Sequence, residues 1–254
     1  MHQPTLRVLQ VLQRIAQDSS GLRLADLSRD LEIPKSTLLP ILQTLLQSKH
    51  LSQDDMGRYL PGTSLFALGT AFSGSFPVLR YVQEQLQQLV KNLDETCYFG
   101  VLEAGQVLYL EKAESSQPLR MLTATGHRLP AYATGIGKAL LCELDGDLLR
   151  QMYPNGLVPL TEHTITDFGL LQQQLAEAKA ENYAWECEES TPHVRCFAVP
   201  VRKHGAIVAA ISVTIPLFRY KEEDRPRIIH TIQTAAAQMS TVFEQTNAHF
   251  GDLF

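Results

Sequence analysis

The stretch LADLSRDLEIPKST at residues 24–37 decides the fold of the N-terminal part of this chain. Its apolar spacing predicts a short helix over 25–31 that buries Leu27 and Leu31. A tight connection at 32–35 follows, and Ser36 then stands where a serine caps the start of a new helix. The stretch therefore predicts two helices separated by a short turn.

A helix precedes this stretch, and a helix and a hairpin follow it. The first helix has one apolar side, formed by Leu6, Leu9, Leu12 and Ile15. The third helix has an apolar stripe at i, i+3, i+4 and i+7, formed by Leu38, Ile41, Leu42 and Leu45. Residues 52–60 are predicted to form strand, turn and strand, because Asp and Gly concentrate where the chain must reverse. Three helices followed by a hairpin indicate a winged helix-turn-helix over residues 1–62.

The rest of the chain has a different pattern of predicted secondary structure. Residues 63–77 are predicted to form a linker helix, which leaves 78–254 as a second domain. Strands dominate from residue 96 onward, at 97–103, 106–112, 119–123, 194–201 and 206–215. Helices are predicted between and after them, near 136–144, 146–153 and 168–181 and from about 222. Strand pairs joined by hairpins, with helices inserted, indicate an α+β fold rather than a doubly wound parallel sheet.

Composition excludes several classes of function. The 254 residues are 44% hydrophobic and carry a net charge of −5, which argues against a polycation that coats nucleic acid or a membrane. No apolar run approaches the roughly 18 residues of a membrane span, and no export signal is visible. The four cysteines form no CxxC pair, which argues against a disulfide framework. We expect a soluble cytoplasmic protein without a membrane partner.

Several motifs, in the same order along the chain, resemble those of the IclR family of bacterial transcriptional regulators. In the N-terminal part they are residues 24–37 and the hairpin end YLPG at 59–62. In the larger part they are GHRLP at 126–130, ATGIGKA at 133–139, NYA at 182–184, EE at 188–189 and RCFAVPV at 195–201. The resemblance implies an N-terminal winged helix-turn-helix and a C-terminal GAF/PAS-like α/β effector domain.

The resemblance also implies partners and a function. It implies a ligand-controlled regulator, with no cofactor and no catalysis, that binds a pseudo-palindromic operator in double-stranded DNA as a dimer or a dimer of dimers. The sequence as a whole is similar to those of family members that respond to sugar acids. We therefore expect a repressor of a carbohydrate or sugar-acid catabolic operon, with a small carboxylate as effector.

The third helix supplies most of the candidate DNA contacts. Its start places a cation and two hydroxyls beside free backbone N–H groups, at Lys35, Ser36 and Thr37. On its outer face, Leu39 could touch a thymine methyl group and Gln43 could reach an adenine edge. Residues 1–75 carry a net charge of +1 and the remainder of the chain −6. Of these two parts, only the N-terminal one has no net negative charge, which favours DNA binding.

One position departs from the family pattern. The family usually has an aromatic residue or His and then Arg where this chain has Leu39 and Pro40. If Ser36 caps the helix, Pro40 is its fourth residue and removes an early hydrogen bond. We expect either a shifted register on DNA or a weaker single-site affinity offset by oligomer avidity. Arg58 in the wing could replace part of the missing charge.

The segment TGIGK at 134–138 invites comparison with a phosphate-binding loop, but the nucleotide pattern needs Gly at Tyr132 and Ser or Thr at Ala139. A helix that opens here can still hold a carboxylate with its free N–H groups. Ser212 and Thr214 lie two apart on a strand and point the same way. These features indicate a polar anion pocket inside an apolar wall.

The family resemblance assigns roles to the residues of this pocket. The Gly135 and Ile136 amides, with Ser212 and Thr214, are implied to bind the carboxylate or hydroxyls of the effector. Glu186, where the family often has Asp, and Cys196 are implied to lie at the far end. The implied wall consists of three apolar residues, Met121, Leu129 and Val194.

An enzymatic alternative is a metal-dependent or Cys-dependent cytoplasmic hydrolase that uses the C-terminal domain. The candidate ligands or nucleophiles are His163, His193, His204, Cys187 and Cys196, whose spacings match no common zinc pattern. Cys196 has no evident partner, because His193 would point to the opposite face of a strand. Three acidic residues at 186, 188 and 189 could supply paired carboxylates but are also typical of a solvated loop. We therefore expect no metal site and no catalysis.

Overall fold

The computed structural model describes residues 2–117 and 124–245. It divides into two compact units, Met1–Pro77 and Val78–Phe254. None of the helices in the described residues is long and apolar enough to cross a membrane.

The N-terminal unit contains four helices and one hairpin. In chain order they are α1 (Gln3–Ala16), α2 (Leu24–Asp30), α3 (Lys35–Gln47), β1 (Leu51–Gln53), β2 (Tyr59–Pro61) and α4 (Thr63–Gly74). β1 and β2 pair antiparallel around a turn centred on residues 54–57. The predicted winged helix-turn-helix is confirmed.

The core of this unit forms around α3. Leu38, Leu42 and Leu45 are buried on one side of α3 and pack with Val11 and Ile15 of α1. The predicted apolar side of α1 is wrong at Leu9, which is 50% exposed. The buried face is centred on the i, i+4 pair 11 and 15, and position 9 lies well round the helix from it.

The predicted cap of α3 is also wrong. Helical hydrogen bonding begins two residues earlier, because the Thr37 and Leu38 amides donate to the Pro34 carbonyl at 2.9 and 3.1 Å. Pro34 is therefore the N-cap, Lys35 the first helical residue and Ser36 an exposed second residue. Pro40 consequently stands sixth in α3, rather than fourth, and removes the hydrogen bond to the Ser36 carbonyl.

The C-terminal unit is a six-stranded antiparallel sheet with helices. Its elements are α5 (Val78–Leu93), β3 (Thr96–Glu103), β4 (Gln106–Ala113), β5 (Arg128–Pro130), α6 (Gly135–Leu141), α7 (Gly146–Met152), α8 (Phe168–Glu181), β6 (Ala184–Cys187), β7 (Val194–Lys203), β8 (Ala206–Pro216) and α9 (Arg225–Gln245). The strand order is β5-β4-β3-β8-β7-β6. The expected α+β class is confirmed.

The two faces of this sheet carry different helices. Tyr98 and Phe99 are neighbours on β3 and so point to opposite faces. Tyr98 belongs to the core that includes α6, α7 and α8. Phe99 contacts Phe243 of α9 through an edge-to-face ring pair with centroids 6.1 Å apart.

Two short edge strands escaped prediction. β5 has three residues and β6 has four, so neither is long enough for a clear alternating pattern, and within residues 2–117 and 124–245 each pairs with one neighbour. The strand predicted at 119–123 lies outside the described residues.

Candidate functional site

The outer surface of α3 is the first candidate site. Lys35, Ser36 and Gln43 are exposed, Leu39 is 42% exposed and Thr37 is half-buried. Residues 35, 39 and 43 are spaced at i, i+4 and i+8, so they form one ridge along the helix. The structure thus brings together five of the six predicted DNA-contact residues on a single exposed helix.

The sixth predicted DNA-contact residue, Arg58, lies in the hairpin and is already paired. Its guanidinium donates to the Asp54 carboxylate at 2.7 Å, and its backbone N–H donates to the other oxygen at 2.8 Å. These bonds, with the backbone bond foremost, lower the pKa of Asp54 below its usual range. The Arg58 charge is therefore partly neutralised by a residue of its own turn.

The second candidate site is a cavity in the C-terminal unit. A small cavity, with a free volume of about 20 Å³, lies between residues of the sheet, the start of α6 and the loop after β6. Its wall combines apolar and hydroxyl-bearing side chains: Tyr98, Tyr109, Leu129, Thr134, Gly135, Ile136, Ser190, Thr191, Val194, Cys196, Ser212 and Thr214. An enclosed mixed wall of this kind is typical of a small-molecule site.

Strand register brings the polar groups of the cavity together. Glu186 on β6 pairs with Cys196 on β7, and Cys196 pairs with Thr214 on β8. Directly paired residues point to the same face of a sheet, so these three side chains form one row. Ser212, two residues before Thr214, lies in the next row opposite Tyr98 of β3.

The start of α6 closes the cavity opposite the sheet. Thr134 is the N-cap and accepts a hydrogen bond from the Gly137 amide at 3.0 Å. Two glycines allow the close approach: a Cβ on Gly135 would lie 3.0 Å from the Cys196 Cβ, and one on Gly137 would lie 2.0 Å from the Ala131 carbonyl oxygen. The glycines are thus explained by packing, without a nucleotide.

Half-buried Cys196, on the cavity wall, and buried Glu186 behind it form a polar pair. The Cys196 Sγ lies 3.1 Å from the Thr214 Oγ1 and also hydrogen-bonds Glu186. Glu186 is 0% exposed and accepts hydrogen bonds from the Glu189 amide at 2.8 Å and the Ser190 hydroxyl at 3.2 Å. Burial raises the pKa of Glu186 to about 7.

A second buried charged group ties α6 to the loop after β6. The Lys138 ammonium, 0% exposed, donates to Glu189 and to Gln174. Burial lowers the pKa of Lys138 and raises that of Glu189, in each case against the attraction of the partner charge. Because Ser190 follows Glu189 and lines the cavity, this ion pair positions one wall of the site.

The predicted effector residues separate into three groups. Seven of them line the cavity: Leu129, Gly135, Ile136, Val194, Cys196, Ser212 and Thr214. Glu186 stands behind Cys196, away from the described lining, and Met121 lies outside the described residues. Their contact with an effector stays a prediction.

Sequence reasoning missed five lining residues, Tyr98, Tyr109, Thr134, Ser190 and Thr191. Thr134 could have been found, because a threonine directly before a helix-opening glycine is a standard N-cap signal. The two tyrosines and the loop residues gave no such signal, since only the strand register and the buried ion pair bring them to the cavity.

The chemistry of the site does not support the hydrolase alternative. Burial raises the pKa of Cys196 well above its usual range, so the thiol stays protonated and is a poor nucleophile. Residues 2–117 and 124–245 contain no group of three or more His, Cys, Asp or Glu able to hold a metal ion.

Comparison with known protein families gives two matches that together cover most of the chain. Residues 5–55 match the IclR helix-turn-helix domain. Residues 71–241 match the bacterial transcriptional regulator IclR C-terminal domain.

Individual relatives agree with these matches. The chain is 30% identical over 238 residues to the HTH-type transcriptional regulator KdgR of Escherichia coli, covering 92% of this chain and 90% of the relative. The crystal structure of an IclR transcriptional regulator from Alicyclobacillus acidocaldarius superposes with a TM-score of 0.85 at 23% identity, covering 96% and 99% of the two chains. An IclR homolog from Microbacterium hydrocarbonoxydans, complexed with 4-hydroxybenzoate, superposes with a TM-score of 0.82 at 23% identity, covering 96% and 100%.

Proposed function

Because the chain belongs to the IclR family of bacterial transcriptional regulators, we propose that it represses a carbohydrate or sugar-acid catabolic operon under the control of a small carboxylate effector. Its relatives are DNA-binding regulators rather than enzymes, and this chain is a regulator of the same kind. The observation that carries the proposal is the enclosed, hydroxyl-lined cavity in a chain whose other unit is a helix-turn-helix.

The proposed DNA contacts lie on the α3 ridge. The exposed Lys35 ammonium approaches a phosphate, and the exposed Ser36 hydroxyl and free backbone N–H groups at the helix start add further phosphate contacts. Leu39 and Gln43 face the bases. Since α3 has one cation, the contacts of a single α3 helix hold DNA weakly. Binding to a pseudo-palindromic operator by two or more N-terminal units of an oligomer is therefore favoured.

The α4 helix supports the proposed homo-oligomer, a dimer or a dimer of dimers. Its twelve residues, TSLFALGTAFSG, include no charged side chain and none that is buried. Phe66 and Leu68 are 78% and 59% exposed. An uncharged apolar helix left open to water is typical of a surface that another protein covers. We infer that a second copy of α4 covers it.

Oligomerisation is tested with Phe66→Asp and analytical ultracentrifugation. We expect the wild-type protein to sediment as a dimer or tetramer, and the variant to dissociate at concentrations where the wild type does not. Met56→Asp is the matched control, because Met56 is equally exposed, at 64%, but lies in the wing turn. Equal assembly of Phe66→Asp and wild type would refute the α4 interface.

The effector site is proposed at the cavity. Backbone N–H groups at the start of α6 and the hydroxyls of Ser212 and Thr214 are donors for a carboxylate. The homolog complexed with 4-hydroxybenzoate supports a carboxylate as the ligand class. A ligand acts on repression to the extent that it binds one arrangement of the protein better than another.

The whole proposal is tested by binding to DNA. We expect the purified protein to bind its own promoter fragment in preference to random duplex, with an affinity that falls as salt rises, because phosphate contacts release counterions. A sugar acid or its breakdown product should release the complex. Equal affinity for both duplexes, with and without carboxylates, would contradict the proposed function.

A further inference from the structure

The side of α3 that faces away from the buried core carries a proline. Four exposed residues recur there at i, i+4, i+7 and i+11 and form an outer row: Ser36, Pro40, Gln43 and Gln47. The buried leucines of α3, at 38, 42 and 45, lie on the opposite side. Because α3 continues past Pro40 to Gln47, the proline does not end the helix. It alters the surface that α3 presents outward.

Pro40 deprives one backbone acceptor of its helical donor. In an α-helix the N–H of residue 40 donates to the carbonyl of residue 36, and proline has no N–H. The proline ring also crowds that carbonyl, which therefore tilts away from the helix axis. Ser36 and Pro40 are both exposed, so water reaches the carbonyl oxygen while α3 is free. A surface that covers α3 has to replace this water with another donor.

The Pro40 carbonyl, one turn further along the outer row, is in the opposite condition. The Thr44 hydroxyl donates to it at 2.9 Å, in addition to the backbone bond of the helix. The Pro40 carbonyl thus has an added donor, whereas the Ser36 carbonyl has lost one. The outer row therefore presents an acceptor at Ser36 that is open to a partner outside the helix.

The Ser36 carbonyl also has a more definite requirement than the side chains beside it. The outer row carries no charged side chain, so it offers hydrogen bonds and apolar contacts rather than ion pairs. The Gln43 and Gln47 amides each contain a donor and an acceptor and can turn to suit either partner. A backbone carbonyl only accepts, and the helix fixes its direction. It can bond to a donor and to nothing else.

The major groove of DNA offers donors on two of the four bases. Adenine presents its N6 amino group and cytosine its N4 amino group, whereas guanine and thymine present acceptor oxygens. A carbonyl that enters the groove opposite an amino group replaces its lost water with a hydrogen bond. Opposite O6 of guanine or O4 of thymine, two acceptors face each other and both stay unpaired, which is costly.

We propose that Pro40 is a specificity-determining residue for DNA, because it frees the Ser36 carbonyl to read an amino group in the major groove. The operator then requires adenine or cytosine, rather than guanine or thymine, at one position of each half-site. The inference rests on the proposed function, since it uses α3 as the helix that enters the groove.

The first test is selection of binding sites from random duplexes by the full-length protein. Pro40→Ala and Pro40→Val both restore the backbone N–H, and valine also keeps apolar bulk at this position. Both variants are expected to fold, because a helix interior is more stable without proline. Wild-type sites should contain one position per half-site with adenine or cytosine. Both variants should accept all four bases there and keep the other preferences.

The second test removes only the amino group from the selected position. Purine replaces adenine, or 2-pyrimidinone replaces cytosine, and fluorescence anisotropy measures the affinity at one salt concentration. Wild type should bind the altered duplex roughly tenfold more weakly, which corresponds to one hydrogen bond lost in a desolvated contact. Pro40→Ala and Pro40→Val should bind both duplexes within about twofold of each other. Any effect of the analogue on the duplex itself is common to the three proteins.

The matched control is Thr44→Val. It removes the hydroxyl that bonds to the Pro40 carbonyl and leaves Pro40 in place. This variant should keep the preference for adenine or cytosine. Loss of the preference in Thr44→Val as complete as in Pro40→Ala would show that the shape of the helix, rather than the Ser36 carbonyl, sets it, and would overturn the proposal.

Other outcomes separate this inference from the proposed function. Retention of the preference by Pro40→Val would assign it to apolar contact and overturn the role of the carbonyl. Wild-type sites without such a position, or with one that tolerates loss of the amino group, would also overturn it and leave DNA binding by α3 in place. Failure of the wild type to select any sequence would reject the proposed function, and this inference with it.

Discussion

The α3 surface and the effector cavity are built in opposite ways. The α3 surface consists of nearly consecutive residues, 35–43, on one exposed helix. The cavity draws its wall from five strands, from α6 and from the loop after β6. A surface of the first kind follows from the sequence once the helix and its buried side are known. A site of the second kind depends on which strands pair and in what register.

The two sites also differ in how they carry charge. Lys35 is exposed, so water screens its charge and its removal costs the fold little. Lys138 is fully buried against Glu189, with Glu186 nearby, so desolvation dominates its energetics. The same residue type is therefore a proposed binding group in one region and a structural one in the other.

The largest effect is expected from the same substitution made in both regions. Lys138→Met leaves the Glu189 carboxylate buried without its partner and should lower the free energy of unfolding by about 3–5 kcal/mol. Lys35→Met should change it by less than about 0.5 kcal/mol. Urea unfolding followed by circular dichroism measures both, and the fluorescence of Trp185, the single tryptophan, follows the C-terminal unit. Similar losses of unfolding free energy for the two variants would contradict the contrast between buried Lys138 and exposed Lys35.

The pH dependence of stability measures the cost of burying a second ionisable group of the C-terminal unit, Glu186. Its pKa is about 7 in the folded protein against an ordinary value of 4.5, so the folded state holds the proton more tightly. The contribution of Glu186 to stability is then greatest below pH 4.5 and falls as pH rises to about 7, by roughly 3 kcal/mol. Glu186→Gln cannot ionise and should lack this fall.

The Glu186 prediction is checked by the difference in unfolding free energy between wild type and Glu186→Gln across this pH range. Glu189 and Lys138 are present in both proteins, so they contribute to the difference only through their interaction with the Glu186 charge. A difference independent of pH would show that Glu186 is already ionised in the fold.

Lys35 on α3 is expected to act on DNA affinity. Lys35→Ala removes one phosphate contact, so it should weaken operator and random DNA alike and reduce the salt slope by about 1. Fluorescence anisotropy at several salt concentrations measures both quantities. Arg80→Ala is the matched control, since Arg80 is an exposed cation on α5 of the other unit. An equal effect of the two variants would mean that net charge, rather than contact, governs binding.

The smallest effect is expected from Arg58→Ala. Since Arg58 is paired with Asp54, its loss should cost operator affinity about 0.5 kcal/mol or less, below the cost of Lys35→Ala. The same anisotropy titration ranks the two variants. A loss of affinity larger for Arg58→Ala than for Lys35→Ala would mean that the Arg58 side chain leaves Asp54 and contacts DNA. The wing would then supply the charge that the recognition helix lacks.

Much of the fold could be predicted because long helices and hairpins have recognisable patterns of apolar and turn residues. Periodicity predicts the stripe on α3, and the turn signals between strands predict the hairpins β3–β4 and β7–β8. The errors fall at short or terminal features: the short edge strands β5 and β6, and the start of α3. There the hydrogen bonds to the Pro34 carbonyl, rather than the local preference of Ser36, set the first helical residue.

By itself, the sequence determined the helix-turn-helix, the order of the main elements and the exposed ridge of α3, because each of these depends on residues close together in the chain. Only the tertiary structure decided that Tyr98 and Tyr109 wall the cavity, that Glu186 stands behind Cys196 and that Lys138 is buried against Glu189. These residues lie as far as 98 positions apart, from 98 to 196. Sheet register and burial, which no local pattern encodes, bring them together.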